Sequence, residues 1–397
     1  MVVHNRRDET RSLSQTSGSI CVIYSYICVI RTYNEPNING TTLFSPSSYP
    51  LSINQDSTPL HLSPSSSTTV KMVHPIAEAN ETSPFGKLTP DEFYARHSIT
   101  HSTDYITNPR GLKLFTQSWT PLPPTKIIGV ICAVHGYTGE SSWFVQLTSV
   151  HLAKAGFLVC AIDHQGHGFS DGLKLHIPDI NPVVDDCISF FNSFREKHAP
   201  SLPSFLYSES LGGAIALLIT LRGAGAGAGK PFNGLVLNGA MCGISDKYKP
   251  PWPLEHFLSI AAALIPTWCV VPTRGSIPEV SFKVEWKRKL AMASPRRYVA
   301  RPRVSTAKEL LRICRDVQSK FEEVDLPFLI IHGGEDIVCD PACVEDLYRR
   351  AGSKDKTLKI YPGMWHQLIG EADDDVELVF ADVVEWLKTR ATTAGDS

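Results

Sequence analysis

The sequence predicts an α/β protein with a doubly wound, mainly parallel sheet and an inserted helical cap. Three observations predict it. Short continuous apolar runs recur from Leu112 onward, helical periods fall between them, and the alternation stops between about Cys242 and Asp325. Strands alternating with helices imply βαβ crossovers, which bury a parallel sheet on both faces. A stretch without strands between two such units implies an insertion at the strand-end face, where ligands bind in open α/β sheets.

Each element follows from its own residues. Ile127 to Val134 (IIGVICAV) is apolar throughout, as a strand covered on both faces should be. Phe157 to Ile162, Phe205 to Tyr207, Leu235 to Leu237 and Phe328 to Ile331 repeat that pattern, and Leu358 to Tyr361 is a weaker case. Helical periods cover Ser142 to Ala155, Pro182 to His198, Leu211 to Leu221, Cys343 to Arg350 and Val376 to Thr389. Gly223 to Gly229 (GAGAGAG) reads as a flexible surface loop after a helix, because glycine loses most entropy in regular structure. The domain expectation is a core in two parts, 72–241 and 326–397, with the cap at 242–325 between them.

Residues 1–71 differ in kind. From Asn34 to Val70 the chain is rich in Ser, Thr, Asn and Pro, so little apolar surface offsets the entropy of ordering it. The expectation is a disordered, variable extension, with Met72 as the working start. Ile20 to Ile30 is the longest apolar run there, short of the ~18 residues that span a bilayer. It reads as an apolar patch rather than a targeting segment.

The 397 residues, 43% hydrophobic and 20% charged, are enough to bury a sizeable core. A net charge of -2 gives no basic excess for nucleic acid. The ten cysteines are scattered and several sit in apolar runs, which reads as free thiols in a reducing, cytoplasmic setting. No metal site is expected from Cys339 and Cys343, which lack a second pair at zinc spacing.

The chemistry centres on FLYSESLGG, Phe205 to Gly213. An apolar strand runs into Ser210 and a helix follows at once, the pattern of a nucleophile elbow in an α/β-hydrolase fold. The serine must sit on a tight strand-to-helix turn, so its neighbours two before and two after must be small; here they are Ser208 and Gly212. His135-Gly136-Tyr137 closes an earlier strand, and the fold takes one oxyanion donor from that loop and one from the residue after the nucleophile. The backbone N–H groups of Tyr137 and Leu211 are therefore the candidates, with His135 shaping the loop. An acid is expected after the Phe328 to Ile331 strand, where Glu335, Asp336 and Asp340 all stand. A base is expected after the last strand, where His366 stands. The chain order Ser, Asp, His is the one this fold uses. Asp163 to Gly172 (DHQGHGFSDG) reads as a loop packed beside the site, not a metal site.

HGYTGESSW, DHQGHGFSDG, YSESLGG, HGGEDIVCDP and MWHQL together resemble the plant monoacylglycerol lipase family, which includes caffeoylshikimate esterase and lysophospholipase-like proteins. The resemblance covers about Met72 to Arg390 and runs through NGAMCGISDKYKPPWPLEHFL in the cap. It implies Ser210, Asp336 and His366 as a catalytic triad, selecting Asp336 among the acids, and Tyr137 and Leu211 as oxyanion donors. Ser208 stands where glycine is usual and Leu211 where methionine is often found. No cofactor is implied.

The reading is a serine hydrolase of a carboxylic ester, foremost a monoacylglycerol, with caffeoylshikimate or lysophospholipid as rival substrates. A lipid ester substrate is compatible with peripheral membrane association. Phe257, Leu264, Trp268 and Trp365 are candidate substrate contacts; the apolar cap patch of Phe257, Leu258, Ile260, Leu264, Ile265 and Trp268 could equally be ordinary cap core. Lys283, Lys287, Arg288 and Lys289 are the cations a lysophospholipid would use, and Glu255, Glu279 and Glu285 the acids an aminopeptidase would use for a free amine. A non-catalytic hydrolase-fold receptor is the remaining alternative.

Overall fold

The structure, a computed structural model, describes residues 72–223, 232–247, 249, 253–273, 275–296 and 301–395. The expectations for residues 1–71 and for the glycine-rich run beyond Gly223 lie outside these. The described chain opens with a single 3₁₀ turn at Pro75–Glu78. Helix α1 (Pro90–Arg96) begins at Thr89, whose hydroxyl accepts from the Glu92 N–H while the Glu92 carboxylate accepts from the Thr89 N–H. Two orphan donors are satisfied reciprocally.

Strands β1 (Ile99–Thr107) and β2 (Lys113–Pro121) follow as an antiparallel pair. Neither was among the expected strands. β1 forms the sheet edge and is mostly exposed, so its residues, ITHSTDYIT, carry no apolar alternation. β3 (Gly129–Val134), β4 (Phe157–Ile162), β5 (Ser204–Glu209), β6 (Gly234–Asn238), β7 (Phe328–Gly333) and β8 (Lys356–Tyr361) are the expected strands, shifted by at most two residues at their ends. The sheet order is β1-β2-β4-β3-β5-β6-β7-β8, parallel from β4 to β8.

The continuous apolar runs have a direct cause. Val130, Cys132 and Val134 of β3 face one core cluster, while Ile131 and Ala133 face another. Helices α3 (Asn181–His198) and α4 (Leu211–Gly223) cover the first face. Helix α2 (Phe144–Lys154) and the last described helix (Asp373–Gly395) cover the second. Each fully buried Val, Ile or Leu is worth roughly 1.5–3 kcal/mol on such a surface.

Among the described residues four α-helices lie between β6 and β7: α5 (Leu254–Leu264), α6 (Ile277–Ser281), α7 (Glu285–Ala293) and α8 (Val304–Gln318). They do not pack alike. α8 contributes Leu310, Ile313, Cys314 and Val317 to the first core cluster. α7 contributes Leu290 and Ala291 to the second. α5 rests on α8 through a small cluster of Leu258, Val271, Val304, Ala307 and Leu311. Helices α9 (Pro341–Arg350) and α10 (Asp373–Gly395) complete the described chain. Among the described residues no helix is long and apolar enough to cross a membrane.

Candidate active site

β5 ends at Glu209 and α4 begins at Leu211, leaving Ser210 alone in the turn with φ of 53°. A non-glycine residue in the left-handed region is strained and persists only where its surroundings hold it. Here the Ser210 N–H donates to the Asn238 carbonyl, and the Ser210 carbonyl accepts from the Gly213 and Met241 N–H groups. The small flanking residues have separate reasons. A Cβ on Gly212 would stand 2.2 Å from the Val134 carbonyl oxygen, so α4 can pack this close to β3 only with glycine there. Ser208 is buried and donates its hydroxyl to the Val236 carbonyl at 2.9 Å, which accommodates serine where the usual motif has glycine.

Asp336 lies three residues past β7, and His366 in the loop after β8. Their side chains converge on Ser210. His366 Nε2 is 3.0 Å from Ser210 Oγ, and His366 Nδ1 is 2.6 Å from Asp336 Oδ2. The other Asp336 oxygen accepts from the Val338 and Cys339 N–H groups at 2.8 and 2.9 Å. His332, not singled out from sequence, places Nε2 3.1 Å from Asp336 Oδ2. Burial alone would raise the Asp336 pKa; the charge of His366 and the hydrogen bonds of His332 and His366 outweigh it and hold the carboxyl well below the usual range. The rival acids stand apart from this contact: Asp340 caps α9 by accepting from the Ala342 N–H. Asp336, Cys339 and His366 also bring one ligand atom each within 4.8 Å of one another, the only such group among the described residues. The Asp336–His366 hydrogen bond already occupies it, and burial pushes the Cys339 thiol well up, against the thiolate a metal would need.

Tyr137 follows the β3 loop and Leu211 is the first residue of α4. A Cβ on Gly136 would sit 2.9 Å from Ser210 Cβ, so the β3 loop passes directly over Ser210. A helix N-terminus also favours developing negative charge there.

Ser210 opens into a cavity whose walls include Tyr137, Trp143, Phe144, Met241, Phe282, Ala291, Leu310 and His366. Residues ahead of β6 and residues between β6 and β7 both contribute. The residues expected as substrate contacts do not line this cavity. Phe257, Leu264 and Trp268 are 58%, 77% and 59% exposed on the outside of the insertion, and Trp365 is not in the cavity wall. The correction has a physical reason: α5 turns Leu258 inward onto α8, so its opposite face looks outward. The aromatic wall comes instead from Trp143, Phe144 and Phe282, two of them on the short stretch after the β3 loop. Their closeness to HGYTGE was a usable signal.

Two carboxyls also border the cavity. Burial raises Glu140 to about 7, against the hydrogen bond from the Ser294 hydroxyl at 2.5 Å. Burial likewise raises Glu209 to about 7, although the Tyr207 hydroxyl donates to it at 3.0 Å. Among the described residues no Lys or Arg lines the cavity. The cap cations named from sequence are engaged elsewhere. Lys287 is fully buried against the Glu371 carbonyl and Asp373, Lys283 reaches the Gly363 carbonyl, Lys289 pairs with Glu81 and Glu285, and Arg288 donates to the Phe282 carbonyl. Of the candidate amine-binding acids, Glu279 accepts from the Ser276 N–H and Glu285 faces Lys289; the Glu255 side chain lies outside the described residues.

A family model described as "Serine aminopeptidase, S33" matches residues 125–373. Caffeoylshikimate esterase of Arabidopsis thaliana is 34% identical over 313 residues, covering 78% of this chain and 92% of that one. Monoglyceride lipase of Homo sapiens is 30% identical, covering 73% of this chain and 92% of that one. A solved structure of a soluble variant of monoglyceride lipase from Saccharomyces cerevisiae superposes with a TM-score of 0.64 at 22% identity, over 73% of this chain and 95% of that one; that likeness is one of fold.

Proposed function

The chain belongs to the serine aminopeptidase family of α/β-hydrolases, with the monoglyceride lipases and caffeoylshikimate esterase among its relatives, and on that premise we propose that Ser210 hydrolyses a carboxylic ester through an acyl-enzyme. The observation that carries this is the continuous contact Ser210 Oγ–His366 Nε2–His366 Nδ1–Asp336 Oδ2, at 3.0 and 2.6 Å, at the floor of a cavity.

His366 donates its Nδ1 proton to Asp336, which leaves Nε2 free to accept the Ser210 proton. Oγ bonds to the ester carbonyl carbon, and the carbonyl oxygen takes up negative charge toward the Tyr137 and Leu211 N–H groups. The tetrahedral adduct collapses, the ester C–O bond breaks, and His366 returns its proton to the leaving alcohol. Water then repeats the sequence: it loses a proton to His366, attacks the acyl carbon, and Ser210 leaves with that proton. Losing one oxyanion donor costs roughly 3 kcal/mol in such a site.

Charge favours an uncharged alcohol. The phosphate of a lysophospholipid or the carboxylate of a shikimate ester calls for a guanidinium or ammonium, and the described wall offers Glu140 and Glu209 instead. A glycerol ester carries no charge and presents hydroxyls that carboxylates can accept. We therefore take a monoacylglycerol as substrate, releasing fatty acid and glycerol. The aromatic and aliphatic wall suits the acyl chain.

The region 242–325 acts in this reading as the cap, since Ile277, Phe282, Ala291 and Leu310 close the cavity over the core. The eight described cysteines are free, which supports a reducing, cytoplasmic setting. Exposed Phe257, Ile260, Leu264 and Trp268 support peripheral attachment to a lipid surface. The test is a panel of monoacylglycerol, lysophosphatidylcholine, caffeoylshikimate and short p-nitrophenyl esters, run on the wild type and Ser210→Ala. Ester hydrolysis that disappears in the variant, with monoacylglycerol turned over best, is the expected result. Undiminished turnover by Ser210→Ala, or no ester hydrolysis by the wild type, refutes the proposal. Release of an amine from peptide substrates identifies an aminopeptidase instead.

A further inference from the structure

The loop over the nucleophile is built on two buried histidines that the chemistry above leaves unused. His135 closes β3 and His164 follows β4 by two residues; their rings lie 4.0 Å apart, and both are buried. The hydrogen bonds between them fix where each proton sits. The His164 backbone N–H donates to His135 Nε2 at 3.0 Å. A backbone N–H can only donate, so Nε2 carries no proton, and a neutral His135 carries its proton on Nδ1. Nδ1 stands 2.8 Å from the Gly136 carbonyl oxygen, which can only accept. His164 obeys the same logic. Its Nε2 faces the His135 carbonyl at 3.2 Å and must donate, which leaves Nδ1 to accept from the Cys187 thiol at 3.8 Å. Every proton in this chain of contacts is therefore assigned by a backbone group.

The consequence falls on the next peptide. The Gly136 carbonyl also accepts from the Gly139 N–H at 3.1 Å, so two donors hold it on one side of the loop. In a trans peptide the carbonyl and the following N–H point in opposite directions. Holding the Gly136 carbonyl against His135 and Gly139 turns the Tyr137 N–H the other way, away from both. The loop cannot relax easily around this, because Thr138 already has φ of 63° and Gly136 is pressed against Ser210.

We infer that His135 is a positioning residue for the oxyanion donor: held as the Nδ1–H tautomer by His164, it fixes the Gly136 carbonyl and so aims the Tyr137 N–H at the reacting carbonyl oxygen. The inference rests on the ester-hydrolase reading for its effect on turnover. The tautomer itself is independent of that reading.

The experiment uses the full chain with His135→Asn, His135→Gln and His135→Phe. An asparagine amide nitrogen takes nearly the place of Nδ1 and keeps the donor; glutamine reaches past it, and phenylalanine has none. Expected are a kcat within about threefold of wild type for His135→Asn, and a loss of roughly 10- to 100-fold in kcat for His135→Gln and His135→Phe with KM changed by less than about threefold. Should His135→Phe fail to fold, the contrast between Asn and Gln carries the test. Long-range ¹⁵N–¹H correlation on histidine-labelled wild type reads the tautomer directly, and should give a protonated Nδ1 for His135 and a protonated Nε2 for His164. Wild-type kcat in folded His135→Phe, equal losses in the Asn and Phe variants, or a protonated Nε2 on His135 overturns the inference. Full activity of Ser210→Ala would defeat the ester-hydrolase reading while leaving the tautomer result standing.

Discussion

At Ser210 the backbone is bent into the left-handed region, and the residues that permit it do so by being small or by hydrogen-bonding its N–H and carbonyl. The same economy of space governs the base. Gly239 has φ of 54°, and a Cβ there would stand 2.9 Å from the His366 carbonyl oxygen and 3.5 Å from its ring. Gly239→Ala should displace the imidazole from Ser210 and lower kcat by at least about tenfold, at a stability cost of roughly 1–3 kcal/mol for the strained backbone. A wild-type kcat in the folded variant would count against that contact. Asp336→Asn should leave the fold intact and lower kcat by roughly 10⁴-fold, because an amide donating to Nδ1 imposes the wrong tautomer on His366. Steady-state kinetics with a soluble ester measure both. Ser210 and His366 were legible in the sequence because a strained turn and a chain order leave marks in residue type. His332 was not, since one histidine at a strand end looks like any other until Asp336 is placed 3.1 Å from it.

Among the elements, α7 is fastened to the core more firmly than α5. Lys287 is fully buried, donates to the Glu371 carbonyl at 2.6 Å and pairs with Asp373 at 2.8 Å, while the Trp143 indole N–H donates to the Leu290 carbonyl at 2.8 Å. Removing Lys287 leaves a buried carbonyl without its donor, which costs roughly 1–3 kcal/mol. Lys287→Ala should therefore lower Tm by several degrees, about 2–4 °C per kcal/mol for a domain this large, and raise KM, since Ala291 on the same helix lines the cavity. An unchanged Tm by calorimetry would show the contact to be idle. The contrast between α5 and α7 also explains where element-level reading failed. The apolar run Phe257 to Ile265 could be read as cavity lining or as cap core, because periodicity tells that a helix has an apolar face and not which neighbour that face meets. β1 went unlisted for the opposite reason: an exposed edge strand has no apolar pattern to read.

At the scale of the whole molecule, the described residues include several buried histidines and several buried acids. Burial, aided by neighbouring charges in several cases, lowers His97 and His135 to about 4 and His151 and His167 to about 3, and holds His74 and His164 well below their ordinary value. Between the ordinary pKa of about 6.5 and these values the unfolded chain binds protons that the folded chain refuses, so stability falls as pH drops through that window. Buried acids with raised pKa values, Glu140 and Glu209 at about 7 together with Asp163, Asp186 and Glu371, pull the other way. The histidines prevail near pH 6, and Tm should decline from pH 6.5 to pH 5; a Tm higher at pH 5 than at pH 6.5 would contradict this balance. The sequence by itself determined the alternation of strands and helices, the tight turn at Ser210 and the chain order of Ser210, Asp336 and His366, because each is a local demand on shape or polarity that residue type records. Only the tertiary structure decided which aromatic rings face the cavity, that Lys283, Lys287, Arg288 and Lys289 are engaged by carbonyls and acids, and that His332 reaches Asp336. Those outcomes depend on contacts between residues as far apart in the chain as Glu81 and Lys289, and nothing in a residue's own neighbourhood encodes its distant partner.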